Sequence, residues 1–207
     1  ASAIPNLLEI ADQRQDVVKN LHPDLPAALE LLRKWSCVAE TNSPAMTFFH
    51  VWWSSYRNLT PGFEEETDRY DAFCSGQMNP QLALDAAAQA VRLMRNEFHT
   101  ISVPWGNVHA VSRGERTEPI AGGSTGDPLF YVADLSFRAG TWQTNGGFGF
   151  AMVVNLGQQT QAVSMLPFGV SEFPNSPHFA DQLDLLLNRR FKLTRFVPEQ
   201  VQRYVSS

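Results

Sequence analysis

Residues 147–169 read GFGFAMVVNLGQQTQAVSMLPFG, two apolar runs on either side of the polar LGQQ at 156–159. Short runs of this kind, bounded by a turn, predict an antiparallel β-hairpin. Both arms are apolar on nearly every residue rather than on alternate ones, the pattern of strands with protein on both faces. Sheets covered on both sides by helices place the chain in a layered α+β architecture.

Working outward, the same texture extends back to Ile101, with NVHAVSR at 107–113 and LFYVADLSF at 129–137 lying between turn signals. Before residue 100 the punctuation is helical. Asp24 with Pro26 opens a segment in which Leu25, Ala28, Leu29 and Leu32 share a face. Ser43-Pro44 and Asn79-Pro80 each supply a cap followed by a first-turn proline. After the first comes MTFFHVWWSSY, with Met46, Phe49 and Trp53 on one side and Phe48 and Trp52 on another, the mark of a buried helix. After the second, Leu84, Ala87, Val91, Met94 and Phe98 recur at steps of three and four. Between these helices LTPGFEEETDRYDAFCSG, 59–76, reads as an acidic, exposed connection. The chain thus divides into a mainly helical portion, 1–100, and a strand-rich portion with a C-terminal helix, 101–207.

At 207 residues the chain is long enough to bury a sizeable core, and 43% hydrophobic with 18% charged residues is ordinary for a globular protein. A net charge of −5 argues against a nucleic-acid partner, because phosphate binding needs clustered Lys and Arg. The only tight basic group is Arg189, Arg190 and Lys192, which a solvated helix end explains. No apolar run reaches the length of a membrane span. The opening ASAIPNLLEIADQR carries neither an initiator Met nor a targeting signal, so a processed or truncated chain is expected. Cys37 and Cys74 are too few for a disulfide scaffold and stand as either a pair or two thiols. The histidines at 22, 50, 99, 109 and 178 lack metal-ligand spacing, and GGSTG at 122–126 lacks the Lys and the strand-to-helix setting of a phosphate loop. No metal and no cofactor are expected.

Chemistry concentrates in SEFPNSPHFADQL, 171–183, with two serines, a histidine and an aspartate. Ser176-Pro177 has the pattern of a helix cap, and the helix would run HFADQLDLLL with Phe179, Leu183 and Leu186 on its core face. His178 and Asp181 stand one turn apart, so a base and its orienting acid can meet. The serine is the weak member. Ser176 is committed to capping, and Ser171 lacks a sharp nucleophile turn such as GxSxG. His109 reads as a structural histidine in a strand, His50 as a satisfied core residue, and the five tryptophans as aromatic packing before an acyl pocket.

The segment GVSEFPNSPHFADQLDLLLNRRFKLTRF, 169–196, resembles the C-terminal end of the penicillin-amidase family of N-terminal-nucleophile acylases. Gly169, Ser171, Ser176, Pro177, His178, Phe179, Asp181 and Gln182 carry that likeness. Upstream, WGNVHAVSRGERTEPIAGG is similar to the family's Trp-Gly-x-x-His and Pro-x-x-Gly-Gly elements through Trp105, Gly106, His109, Pro119, Gly122 and Gly123. LLRKWSCVAETNSPAMTFFHVWW, 31–53, is similar to a further segment but has Ser36-Cys37 where Asp-Gly is usual. The resemblance spans most of residues 25–200.

What the resemblance implies is a part of a four-layer αββα sandwich. It also implies a proenzyme cut into an α and a β chain, exposing a serine at the β N-terminus. The free amine of that serine serves as base and its hydroxyl attacks an amide, giving an acyl-enzyme, with a backbone amide and an Asn side chain holding the oxyanion. The matched residues belong to the last part of the β chain, so the nucleophile is expected outside this chain and no residue here is assigned as catalytic. Ala1 has no hydroxyl, and Ser2 could serve only after loss of Ala1. The expected partners are the α chain, the N-terminal part of the β chain and a small N-acyl substrate, an acyl-homoserine lactone or a penicillin-type β-lactam. Such enzymes are periplasmic or secreted, which would favour a Cys37–Cys74 disulfide. The alternative is a non-catalytic scaffold or binding module of the same fold.

Overall fold

A computed structural model describes residues 3–60, 78–123, 132–133, 136–144, 146–195 and 198–205. They form two compact units, one of residues 1–109 with 138–141, the other of residues 110–137 and 142–207. The chain is mixed α and β, with antiparallel strand pairs.

The first unit is helical. Its elements are α1 (Ala3–Gln13), α2 (Gln15–Leu21), α3 (Leu25–Arg33), α4 (Pro44–Leu59), α5 (Pro80–Phe98) and the single turn α6 (Trp105–Val108). The caps fall where the sequence puts them. Ser43 accepts the Met46 amide at the head of α4, and Asn79 accepts the Gln81 and Leu82 amides at the head of α5. Asp24 makes no side-chain cap to α3; its carboxylate takes the Arg95 guanidinium at 2.7 Å instead, which lowers the carboxyl pKa. The four α3 residues predicted to share a face are all buried.

The core of this unit is made by α4 against α5. Along α4, Phe48, Phe49, Trp52, Trp53 and Tyr56 are buried on all sides. Room for them comes from the alanines of α5, with Ala83, Ala86, Ala87, Ala88 and Ala90 fully buried. The Trp52 indole donates to the Ala83 carbonyl at 3.2 Å, which satisfies that buried donor. The 59–76 connection lies outside the described residues apart from its first two positions.

In the second unit β1 (His109–Arg113) and β2 (Arg116–Pro119) pair antiparallel, Arg113 opposite Arg116, around the tight turn at Gly114. With β5 (Thr141–Thr144) and β4 (Ser136–Arg138) they make a sheet in the order β2-β1-β5-β4, and β3 (Val132–Ala133) pairs with β6 (Gly146–Gly147). The hairpin read from 147–169 is present. β7 (Ala151–Asn155) and β8 (Gln161–Met165) pair antiparallel from Asn155↔Gln161 to Ala151↔Met165, and β9 (Lys192–Thr194) adds to the far side of β8. The helices α7 (Leu183–Leu187) and α8 (Pro198–Val205) complete the chain. Val111, Ile120, Met165, Leu183 and Leu186 form the buried centre, with Phe148 and Phe168 packed on it.

One expectation about the hairpin is corrected. β8 is buried on most of its length, but β7 is not covered on both faces: Met152 and Val153 are about half exposed, and Leu156 is 84% exposed. β7 is the outer strand of its sheet, and among the described residues no second layer covers its apolar side chains.

Candidate functional site

The chemistry-bearing stretch 171–183 folds differently from its sequence pattern. A helix starting after Ser176 would have the His178 carbonyl accept from the Gln182 amide. Here the His178 carbonyl accepts from the Ser171 amide at 3.2 Å, and the Gln182 amide donates to the Phe168 carbonyl at 2.9 Å. Both bonds tie the segment back to residues 168–171, so residues 176–182 form turns and α7 begins only at Leu183. Phe179 is therefore off the helix and half-buried, whereas Leu183 and Leu186 are buried as expected.

Ser176 does not cap that helix. Its hydroxyl oxygen accepts from the His178 amide two residues on, and Ser171 does the same for the Phe173 amide. Such local turns are a common use of serine where no helix continues. The His178 ring and the Asp181 carboxylate do meet, Nδ1 to Oδ2 at 3.0 Å. Neither serine hydroxyl is bonded to that ring, and the histidine is largely exposed. Base and orienter are together and the nucleophile is missing from the arrangement, so these four residues make no triad.

What the turn does contain is a set of fixed positions. Gly169 is held so close to its neighbours that a Cβ would lie 2.2 Å from the His178 carbonyl oxygen and 2.6 Å from Asp181 Oδ1. Gln182 is buried, and its Oε1 accepts from the Leu166 amide at 3.0 Å, joining the end of β8 to the start of α7. Arg113, which the sequence did not single out, reaches in from β1. Its guanidinium donates to the Ser171 and Phe179 carbonyls at 3.0 and 3.1 Å and lies 3.9 Å over the Phe179 ring. Two carbonyls and an aromatic face are what an arginine's planar fork fits and a lysine's point charge does not. Its only sequence signal was a basic residue at the end of an apolar strand.

Replacing Ser176 by alanine removes one exposed turn bond and no helix cap. The expected loss is about 0.5 kcal/mol in urea denaturation, at the low end for a net hydrogen bond.

The second family-like element begins in the first unit, with Trp105, Gly106 and His109. The Trp105 and Gly106 amides donate to the Ser43 and Thr41 carbonyls at 3.1 and 2.7 Å, fixing the lead-in to α4. Thr47 supports the same junction by donating to the buried Val103 carbonyl at 2.7 Å. Trp105 is fully buried between two histidines, stacked on His109 at 4.3 Å and tilted against His50 at 5.1 Å. Burial, with the neighbouring His109 adding to it, pushes the His50 pKa down to about 4, so the ring is neutral at physiological pH. Trp105, His109 and the α4 tryptophans act as core, in keeping with the aromatic-packing reading, and His50 stands half-buried against Trp105. Pro119 ends β2 opposite Ala110, and Gly122 and Gly123 follow it, both buried. Cys37 is exposed; its proposed partner Cys74 lies outside the described residues.

Among the described residues no group of three or more His, Cys, Asp or Glu is placed to hold a metal ion. Nor is any described helix long and apolar enough to cross a membrane. The Ser-Pro-His turn locked under an arginine and the buried Trp-Gly-x-x-His junction are thus both set in a chain of mixed α and β structure. The penicillin amidase family model matches residues 5–203, nearly the whole chain, and this chain belongs to that family.

Proposed function

We propose that this chain is the C-terminal part of the β chain, or a separately cleaved third chain, of an amidohydrolase that acts on N-acylated small molecules through an acyl-enzyme. The nucleophile is an N-terminal serine outside this chain, its own amine the base and its hydroxyl the attacking group. Acyl-homoserine lactones are the first substrate class and penicillin-type β-lactams the second, on the Ser-Pro-His spelling at 176–178. The setting is periplasmic or secreted, and maturation is autoproteolytic.

Family membership supports the hydrolase class. The observation that carries this chain's own part is strand β7. Met152, Val153 and Val154 are apolar yet exposed, on a strand that among the described residues is outermost in its sheet and has no strand paired on its far edge. Chains that work alone blunt such edges with charge, proline or a covering element. This one has no charged side chain between Ala151 and Leu156. The remaining proenzyme is the surface that fits over it. This chain then supplies strands and outer helices, and positions rather than performs the chemistry.

The test is hydrolysis of a chromogenic N-acyl amide and of N-acyl-homoserine lactones of graded length. Residues 1–207 alone are expected to give no turnover above buffer, and the same residues joined to the preceding part of their proenzyme to give it. Turnover by residues 1–207 alone would overturn the assignment of the nucleophile to another chain.

A further inference from the structure

The chain has five methionines, and all of them lie among the described residues. Four are sealed from solvent. Met46 on α4, Met78 just ahead of α5, Met94 on α5 and Met165 at the end of β8 are each 6% exposed or less. Met152, on β7, is 51% exposed. The contrast falls within a single hairpin, where Met152 stands opposite Ser164 and Met165 stands opposite Ala151. Met165 belongs to the buried centre of the second unit. Met152 lies on the strand that is outermost in its sheet among the described residues, beside the exposed Val153 and Val154.

A thioether is oxidised where an oxidant can reach it, and burial is the barrier that separates these five sulfurs. We infer that Met152 is a site of selective, reversible oxidation by peroxides, and that its sulfoxide turns the apolar face of β7 polar while leaving the core intact. In the reaction the Met152 sulfur attacks one oxygen of hydrogen peroxide. An S–O bond forms as the O–O bond breaks, and the sulfur gives up two electrons. The departing hydroxide takes the remaining proton from the new S–OH and leaves as water. A dithiol reverses the change through a sulfoxide reductase, becoming a disulfide as the oxygen leaves as water. A polar, chiral sulfoxide at this position meets solvent, whereas one at Met165 would break the packing around Leu183 and Leu186. Where the remaining proenzyme lies over β7 it shields the sulfur, so the reaction belongs to the chain with that face still open. The inference stands on the exposure of Met152 and is independent of the amidohydrolase reading, because no turnover is measured.

The probe is hydrogen peroxide, applied to the full 207-residue chain and followed by peptide mass mapping over time. Thiols are first capped with N-ethylmaleimide, because Cys37 is also exposed. Gain of one oxygen at Met152 is expected to run about tenfold faster than at any of the other four methionines. In urea, where burial is lost, the five are expected to react at one rate. Full conversion at Met152 is expected to shorten retention on a phenyl hydrophobic-interaction column and to leave the unfolding temperature unchanged. Methionine sulfoxide reductases A and B, one for each epimer, restore the retention when supplied with dithiothreitol. Met152→Leu keeps an apolar side chain without the sulfur, so the same peroxide dose leaves its retention unaltered. Met152→Gln is expected to elute early without any peroxide. Equal rates at the five methionines in native buffer would overturn the inference, as would faster oxidation of a buried one. So would unchanged retention after conversion, or a shift of the same size in peroxide-treated Met152→Leu.

Discussion

Gly169→Ala is expected to destabilise the second unit by about 3 kcal/mol, the upper range for forcing extra volume into a packed site. A methyl group at this position collides with the His178 carbonyl oxygen at 2.2 Å and with Asp181 Oδ1 at 2.6 Å. Neither obstacle can simply swing aside. The carbonyl is backbone and already accepts the Ser171 amide, while the carboxylate is held by the His178 ring at 3.0 Å. Relief requires the 176–182 turn to move as a whole, and with it the Phe179 carbonyl that Arg113 binds. Urea denaturation followed by the near-ultraviolet signal of the second unit measures the loss. A Gly149→Ala control, where the added Cβ meets nothing, is expected to change stability by less than about 0.5 kcal/mol. Equal effects at the two glycines would contradict the close approach at Gly169.

The second large effect is a loss of stability on acidification that belongs to His50. Its folded pKa, about 4, lies below the ordinary histidine value of 6.5. Above pH 6.5 the ring is neutral folded or unfolded, and its full contribution is present. As the pH falls from 6.5 toward 4, the unfolded chain takes up the proton and the folded chain resists it, so stability is lost across that window and levels off below it. Each tenfold difference in proton affinity between the folded and unfolded chain is worth about 1.4 kcal/mol. The loss therefore reaches at most about 3 kcal/mol, the accessible edge of the half-buried ring holding it under that ceiling. His50→Phe keeps an aromatic ring against Trp105 and is expected to flatten the profile between pH 6.5 and 4. Denaturation curves read by tryptophan fluorescence report this unit directly, since Trp35, Trp52, Trp53 and Trp105 all belong to it. An unchanged slope in His50→Phe would assign the acid sensitivity elsewhere.

Much of the helical unit was legible because its signals are local. Ser43 and Asn79 cap the helices they precede, and the spacing of Leu84, Ala87, Val91 and Met94 is enough to name a buried face. The 147–169 hairpin was legible for the same reason, two runs and a turn. What failed did so where a distant partner outcompeted a local one. Ser176-Pro177 looks like a helix start, but Phe168 and Ser171 capture the hydrogen bonds that the first turn would need. The coverage of β7 was misread because a run of apolar residues marks a strand without recording whether a second layer covers each face. The site was legible as a family signature in Gly169, His178, Asp181 and Gln182. The signature did not reveal Arg113, whose partners lie 58 and 66 residues away.

That long reach sets an order of events in folding. The 168–182 turn is closed by bonds between residues a few to some fourteen positions apart, and loops of this size close in tens to hundreds of nanoseconds. Arg113 arrives only when β1 has been carried across more than fifty residues of intervening chain, a far slower search. The turn can therefore take shape first and wait open, and the arginine is the late arrival that locks it. Substitutions at Arg113 are expected to raise the unfolding rate and to leave the folding rate nearly unchanged, which the two arms of a chevron plot measure.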